Sequence, residues 1–383
     1  MKYKHLVFLS LLLTVAMQDT KAQDSTTVKT TKKGHWWHPD SLVNRKLNFL
    51  PIPAASISPE TGLRAGLVLE YFFNAAGHRK DSFPKTRDSY AYLEGMYSTR
   101  KQVLVESFGL MYTPGEKYQI RNRVGYVDNN ERLWGFGNQT VGNKDYEKVR
   151  YSRWYLQTAA TRQIKNQFFV GLNVNVSYTY NIDETIKDTN FLAGQPGETG
   201  SRVIGLGPTI IWDKRDHVLN PHHGWYGEAG ITYHTHAFGS NYNYTLYFAD
   251  VRKYFPFHDN SVLAMQGYAE LTNGTVPWRE QSRMGNATIM RGYFAGRYRD
   301  NQYAAAQVEY RKPVHRLFTL AAFVSAGQVQ HNIDEFNLSD MRAAGGLGVR
   351  VMANKAKNIY LRFDFAASTD RTTGFYFKVG EAF

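Results

Sequence analysis

Phe168-Phe169-Val170-Gly171-Leu172-Asn173-Val174-Asn175-Val176-Ser177-Tyr178-Thr179 alternates with a period of two. Phe168, Val170, Leu172, Val174, Val176 and Tyr178 share one face, and Phe169, Gly171, Asn173, Asn175, Ser177 and Thr179 share the other. Successive side chains of a strand point to opposite sides, so the stretch predicts a strand with one apolar and one mostly small, polar face. A tilted strand of about 10 such residues is long enough to cross a bilayer.

The same period returns along the chain. Leu361, Phe363 and Phe365 alternate with Tyr360, Arg362 and Asp364, and in the last segment Phe375, Phe377, Val379 and Phe383 fall on one face, a row that Glu381 interrupts. Segments of this kind run over 47–57, 63–73, 90–99, 102–112, 117–127, 149–161, 166–180, 201–212, 224–236, 241–254, 261–272, 302–311, 318–327, 340–352, 358–366 and 373–383. The expected fold is all-β, an antiparallel transmembrane β-barrel of about 16 strands, an even number as bacterial single-chain barrels have. With the first strand running outward, the long connections 128–148, 181–200, 273–301 and 328–339 fall outside the cell. Thr113-Pro114-Gly115-Glu116, Lys312-Pro313-Val314-His315 and Asn354-Lys355-Ala356-Lys357 become short periplasmic turns. Residues 74–89 and 213–223 are long for that side.

Composition agrees with this class. Aromatic residues make up 15% of the chain, with 26 Tyr and 23 Phe, yet mean hydropathy is only −0.47. Alternation of lipid-facing apolar and lumen-facing polar residues, with aromatic girdles, gives that combination. Cys is absent, which excludes disulfides and thiolate metal sites. Lys2 and Lys4, the apolar run Leu6 to Ala16 and Thr20-Lys21-Ala22 read as a secretory signal over 1–22. Residues 23–46 read as a short periplasmic leader and 47–383 as the barrel. The formal net charge of +13 falls to +11 without the three Lys and one Asp of the signal. The cations are spread through strands and turns, which points to a positive lumen or to anionic lipid headgroups and not to nucleic acid.

Chemistry-bearing clusters are few. His35, His38, His222 and His223, with Asp40 and Asp216 nearby, complete no recognised metal-ligand spacing, so neither metal nor cofactor is expected. Trp36 and Trp37 suit an interfacial anchor. The cluster Asp213-Lys214-Arg215-Asp216 ahead of Pro221 reads as a turn braced by ion pairs. No nucleophile elbow, zinc-protease helix or phosphate-binding loop is present, and no enzymatic role is expected. Asn138-Gln139-Thr140 and Asn286-Ala287-Thr288 match a short glycosylation pattern by chance, and Trp134-Gly135-Phe136-Gly137 marks a turn-rich outer loop.

Four motifs carry a resemblance. They are Arg291-Gly292-Tyr293 followed by Gly296-Arg297-Tyr298-Arg299-Asp300, Glu309-Tyr310-Arg311-Lys312-Pro313 followed by Phe323-Val324-Ser325-Ala326-Gly327, Trp212-Asp213-Lys214-Arg215-Asp216 with Pro221 and Gly224, and the terminal Phe383. In this order and spacing the chain resembles the bacterial surface antigen barrels that include the BamA and TamA assembly factors and the two-partner secretion transporters. The resemblance covers 47–383 and implies that Arg291, Gly292 and Tyr293 lie on a sixth extracellular loop folded into the lumen. It further implies protein insertion or translocation at the outer membrane, with outer-membrane lipid, unfolded client barrels and a periplasmic accessory protein as partners. A passive channel or a plugged structural barrel is the alternative. The family's periplasmic POTRA domains have no counterpart in the short segment 23–46, and Ser325 stands where an acid usually meets the loop arginine. A charged arginine inside a barrel needs an acid partner. Glu309 is the favoured one, with Glu270 and Ser325 as further anchoring candidates and Asp364 expected farther away. Phe383 resembles the aromatic C-terminal signal read on client barrels.

Overall fold

The computed structural model describes residues 49–58, 61–75, 86–142, 144–185, 190–355 and 358–383. The signal and leader, with His35, Trp36, Trp37, His38 and Asp40, lie outside the described residues. The strands are β1 (Phe49–Ser58), β2 (Gly62–Phe73), β3 (Ser89–Ser98), β4 (Val103–Tyr112), β5 (Tyr118–Leu133), β6 (Glu147–Lys165), β7 (Phe168–Thr185), β8 (Ser201–Asp213) and β9 (Gly224–His234). They continue with β10 (Tyr244–Pro256), β11 (Val262–Gly274), β12 (Ser282–Arg283), β13 (Arg299–Asp300), β14 (Gln302–His315), β15 (Phe318–Gln330), β16 (Arg342–Asn354), β17 (Ile359–Ser368) and β18 (Thr373–Val379). Sixteen of them close into one antiparallel barrel, and β12 and β13 form a separate two-stranded hairpin inside the connection from β11 to β14.

The alternation decides which way each side chain points. On β7, Val170, Leu172 and Tyr178 project outward, while Phe169, Ser177 and Thr179 are buried inside. Outward aromatics gather near both strand ends: Tyr71, Tyr118, Trp212, Phe255 and Phe318 toward the short-turn end, and Tyr97, Trp154, Tyr178, Tyr233 and Tyr247 toward the long-loop end. Two such girdles flank the apolar band of a transmembrane barrel. Among the described residues no helix is long and apolar enough to cross a membrane; the crossing is made by strands.

Wall height varies around the barrel. β5, β6 and β7 have 16, 19 and 18 residues, whereas β17 and β18 have 10 and 7. The β5–β6 ladder runs unbroken from Tyr118↔Arg162 to Leu133↔Glu147. Closure between β1 and β18 rests, among the described residues, on the single register position Ile57↔Phe375.

The structure corrects the expected boundaries in three places. Strand β18 stops at Val379 and does not reach Phe383. Gly380 takes φ +75, a left-handed conformation open to glycine, and turns the last residues into the lumen. The turn expected at Lys312-Pro313-Val314-His315 is strand instead, because Pro313 sits where the β14–β15 register slips and no N–H is required. Residues 316–317 make that turn. The connection 128–148 is shorter than expected because β5 and β6 stay paired well beyond the bilayer. The turn at Asn354-Lys355-Ala356-Lys357 lies partly outside the described residues.

Leu172→Arg places a charge on the lipid face near mid-strand and is expected to destabilise folding into phosphatidylcholine vesicles by about 2–4 kcal/mol. Urea titration of vesicle-inserted protein measures this. A shift well under 1 kcal/mol would show that Leu172 does not face lipid.

Candidate functional site

The connection 275–301 folds back into the barrel instead of standing in solvent. Val276, Trp278, Met284, Ile289, Met290, Tyr293, Phe294 and Tyr298 are all buried, and the hairpin β12–β13, paired Ser282↔Asp300 and Arg283↔Arg299, gives the loop its own backbone hydrogen bonds. It braces against both sides of the wall. On the tall side, Arg153 of β6 meets Glu280 at 2.8 Å, the Arg279 Nε donates to the Tyr151 hydroxyl at 2.6 Å, and Arg299 pairs with Glu131 of β5. Facing the seam, the Tyr298 hydroxyl donates to Asp370 at 2.5 Å.

Arg291 holds the loop to that second side. Its Nη2 donates to Glu309 of β14 at 2.8 Å and its Nη1 to Asp364 of β17 at 2.6 Å, and the guanidinium carbon lies 3.4 Å from the centre of the Phe323 ring. The arginine is thus forked between two acids and stacked on an aromatic face, a geometry that lysine cannot reproduce. Gly292 follows with φ +102, and a Cβ there would stand 2.9 Å from the Ala367 carbonyl carbon. That close approach lets the Gly292 N–H donate to the Tyr376 hydroxyl at 3.0 Å while its carbonyl accepts from Thr372 at 2.6 Å. The Tyr293 hydroxyl donates to the Ala343 carbonyl at 3.1 Å.

The two acids are shared. Arg350 of β16 reaches Glu309 at 3.0 Å, Asp364 at 2.5 Å and Glu381 at 2.9 Å. Arg311 donates to Glu309 at 2.7 Å, lies 3.5 Å from Glu381 and donates to the Phe383 carbonyl at 3.1 Å. Arg362 approaches Asp364 at 3.5 Å and donates to the Ala287 carbonyl of the loop at 2.8 Å. Gly348 leaves the space, since a Cβ there would fall 2.2 Å from both Arg350 and Asp364. One continuous ionic cluster therefore joins the inserted loop, three strands and the inturned tail.

The tail and the turn 214–223 form a floor at the short-turn end. Ala382 and Phe383 pack with Tyr254, Val262 and Ala264, and the Glu381 N–H donates to the Leu219 carbonyl at 2.8 Å. Asp213 pairs with Arg215 at 2.8 Å and with Arg87, from the other long connection on this side, at 2.8 Å. The Pro221 carbonyl accepts from Arg311 at 3.4 Å, and Gly224 takes φ +99 with its would-be Cβ 2.0 Å from the Lys214 carbonyl oxygen. Asp216 accepts the backbone N–H groups of His222 and His223 at 2.9 and 3.1 Å. Burial pulls its carboxyl upward, but hydrogen bonds from the His222 ring and from these two N–H groups outweigh it and hold the group at about 2. Among the described residues no group of three or more His, Cys, Asp or Glu side chains is placed to hold a metal ion. Above the floor lies a chamber of about 480 Å³, lined in part by Arg121, Arg123, Asn175, Glu228 and Phe383.

The structure thus brings Arg291, Gly292, Tyr293 and Glu309 together. Asp364, expected farther away, is an equal partner of Arg291. The Glu270 carboxylate instead accepts the Tyr268 hydroxyl, and only its carbonyl touches the loop, accepting from Ser282 at 3.4 Å. The Ser325 hydroxyl turns to the Ala344 carbonyl at 3.4 Å, so β17 supplies the acid that β15 lacks. Phe383 is buried in the floor and not at the lipid seam. Sequence reasoning missed Arg350 and Glu381, although Glu381 had already announced itself by breaking the apolar row.

The model for the Omp85 superfamily domain matches residues 93–383. Among solved structures, the barrel is similar to BamA from Haemophilus ducreyi, solved without POTRA domains 1–3, with a TM-score of 0.55 at 13% identity over 87% of this chain and 70% of that one. CdiB from Acinetobacter baumannii gives 0.56 at 12% identity over 88% of this chain and 60% of that one, and CdiB from Escherichia coli gives 0.56 at 11% over 88% and 63%. The chain therefore spans less than two thirds of the two CdiB chains it matches, and at these identities the likeness is one of fold. No curated protein matches the chain.

Arg291→Ala leaves Glu309 and Asp364 buried with one fewer cation, a change of about 3–5 kcal/mol for a broken buried pair. The expected result is that trypsin, added to the folded barrel, cuts at Arg297 or Arg299 in the variant and leaves the parent intact. Arg291→Lys should fall between the two. Equal protection of the parent and Arg291→Ala would show that the pair does not hold the loop.

Proposed function

Because this chain belongs to the Omp85 superfamily and is a bacterial outer-membrane protein, we propose that it inserts or translocates other outer-membrane chains. In this reading residues 1–22 direct export, 23–46 lie in the periplasm and the barrel begins near 47. The role is transport and not bond-making chemistry. The observation that carries the proposal is the β1–β18 seam. Its single register position among the described residues, Ile57↔Phe375, contrasts with the ten of β1–β2 and the seven of β17–β18. A sparsely paired edge exposes N–H and C=O groups that an incoming strand can take up, the physics of β-augmentation. The client is then an unfolded chain with strand-forming alternation of its own, added to β1 within the membrane.

A plugged structural barrel is the second reading, favoured by the depth of the Arg291 cluster, whose side chains are fully buried. Sealing the seam separates the two. Ile57→Cys with Phe375→Cys places thiols at a directly paired position, where Cα separations of about 4.5–5.5 Å suit a disulfide, and the parent chain has no Cys to interfere. Oxidation is expected to deplete a defined set of outer-membrane proteins in a whole-membrane census, and reduction to restore it. A census unchanged by oxidation would remove seam opening and leave the structural role.

A further inference from the structure

At the long-loop end, the outer surface of the tall wall carries a pocket of about 380 Å³ enclosed by Thr99, Arg100, Lys101, Asn130, Arg132, Tyr146 and Lys148. Four of the seven are cations and none is an acid. Arg132 and Lys148 are direct register partners on β5 and β6; Glu131, Leu133, Glu147 and Val149 beside them are buried on the opposite face, and the Arg132 guanidinium also lies 5.5 Å from the centre of the Phe294 ring at the rim of the inserted loop. Like charges directly opposite one another on an antiparallel pair repel and destabilise it. Lys101 joins them from the β3–β4 turn, where it holds φ +60. Among the described residues Lys101, Arg132 and Lys148 form no ion pair; the nearby outward acid Asp128 is taken by Arg150 at 3.0 Å. The Arg132 guanidinium lies 4.2 Å from the centre of the Tyr146 ring, which fixes its direction. An arrangement that repels itself and is nonetheless held in place calls for an anion between its members.

Height identifies the anion. Tyr126 and Trp154, with rings 4.7 Å apart, and Tyr97 mark the interface on this side of the barrel. Arg132 lies six residues farther along β5 than Tyr126, which at about 3.4 Å per residue and a tilt near 45° sets it roughly 14 Å above the girdle. The phosphate of a simple phospholipid stays near the girdle, whereas a phosphate carried on a sugar headgroup reaches higher. We propose that Lys101, Arg132 and Lys148, with Arg100, form a binding site for the phosphorylated headgroup of an outer-leaflet glycolipid. The site stands apart from the seam and does not depend on how the barrel treats clients.

The full-length folded protein in detergent, incubated with a glycolipid phosphorylated on sugars beyond its acylated disaccharide and, separately, with the same lipid after phosphatase treatment, tests this by native mass spectrometry. The parent should retain the phosphorylated lipid, and R132Q/K148Q should retain it roughly tenfold less or weaker still. The phosphatase-treated lipid should be lost from both proteins. Heat-modified mobility on a denaturing gel confirms that the variant barrel is folded, and K101Q alone provides a milder second test. Equal retention by parent and folded variants, or equal retention of the dephosphorylated lipid, would overturn the proposal. Complete displacement by a matching concentration of inorganic phosphate would assign the pocket to a free anion and overturn the glycolipid as its occupant.

Discussion

The architecture depends on carboxylates that are each claimed by more than one arginine. Removing a charge from water costs several kcal/mol, and attraction offsets this only where geometry is good and few lone pairs go unused. Glu309 and Asp364 meet that condition by standing between Arg291 on one side and Arg350 on the other. Glu381 extends the pattern to the tail. No member can leave without stranding its neighbours, so the inserted loop, β14, β16, β17 and the inturned end behave as one electrostatic unit. The plug is thereby made part of the wall.

Most of the wall was legible in the sequence because a strand's period of two is stamped on every residue it contains. Each of the sixteen segments overlaps one barrel strand, since a lipid-facing row of Leu, Val, Phe and Tyr cannot be shifted by one position without turning polar groups into the membrane. Strand ends were less legible. Above the bilayer the outward residues of β5 and β6, Asp128, Asn130, Arg132 and Lys148 among them, are polar, and the pattern fades while the hydrogen-bonded ladder continues. The arginine-glycine-aromatic loop could be placed by its motif, and Glu309 by its position on the next strand. Asp364 was harder: 73 residues and several strands separate it from Arg291, and only the closed circle of the barrel makes them neighbours. The two connections that looked too long for their side, 74–89 and 213–223, supply Arg87 and the residues from Arg215 to Pro221 that build the floor. In 213–223 the excess length is structure folded inward.

Loop, floor and seam divide the labour of the molecule. Ionic and aromatic contacts concentrate on the lumen side, where they fix the loop against both walls, while the β1–β18 junction carries few backbone hydrogen bonds. In the proposed role such a division has a use, because a barrel that admitted another chain would have to hold its own interior while one edge yields. The chamber above the floor is bounded in part by Arg215, Leu219 and the inturned residues Glu381 to Phe383, so the tail that closes the floor also shapes it.

Wall height has a mechanical consequence. A sheet resists bending and shear through its cross-strand ladder, and among the described residues the ladder is sixteen residue pairs long between β5 and β6, seven between β17 and β18 and one at β18–β1. The barrel is therefore a ring of uneven stiffness, rigid around β5–β6 and most compliant at the β18–β1 junction. The bilayer squeezes such a ring from every direction with equal lateral pressure. An evenly applied load on an unevenly stiff ring deforms it at its softest arc, so the membrane itself selects where this barrel changes shape.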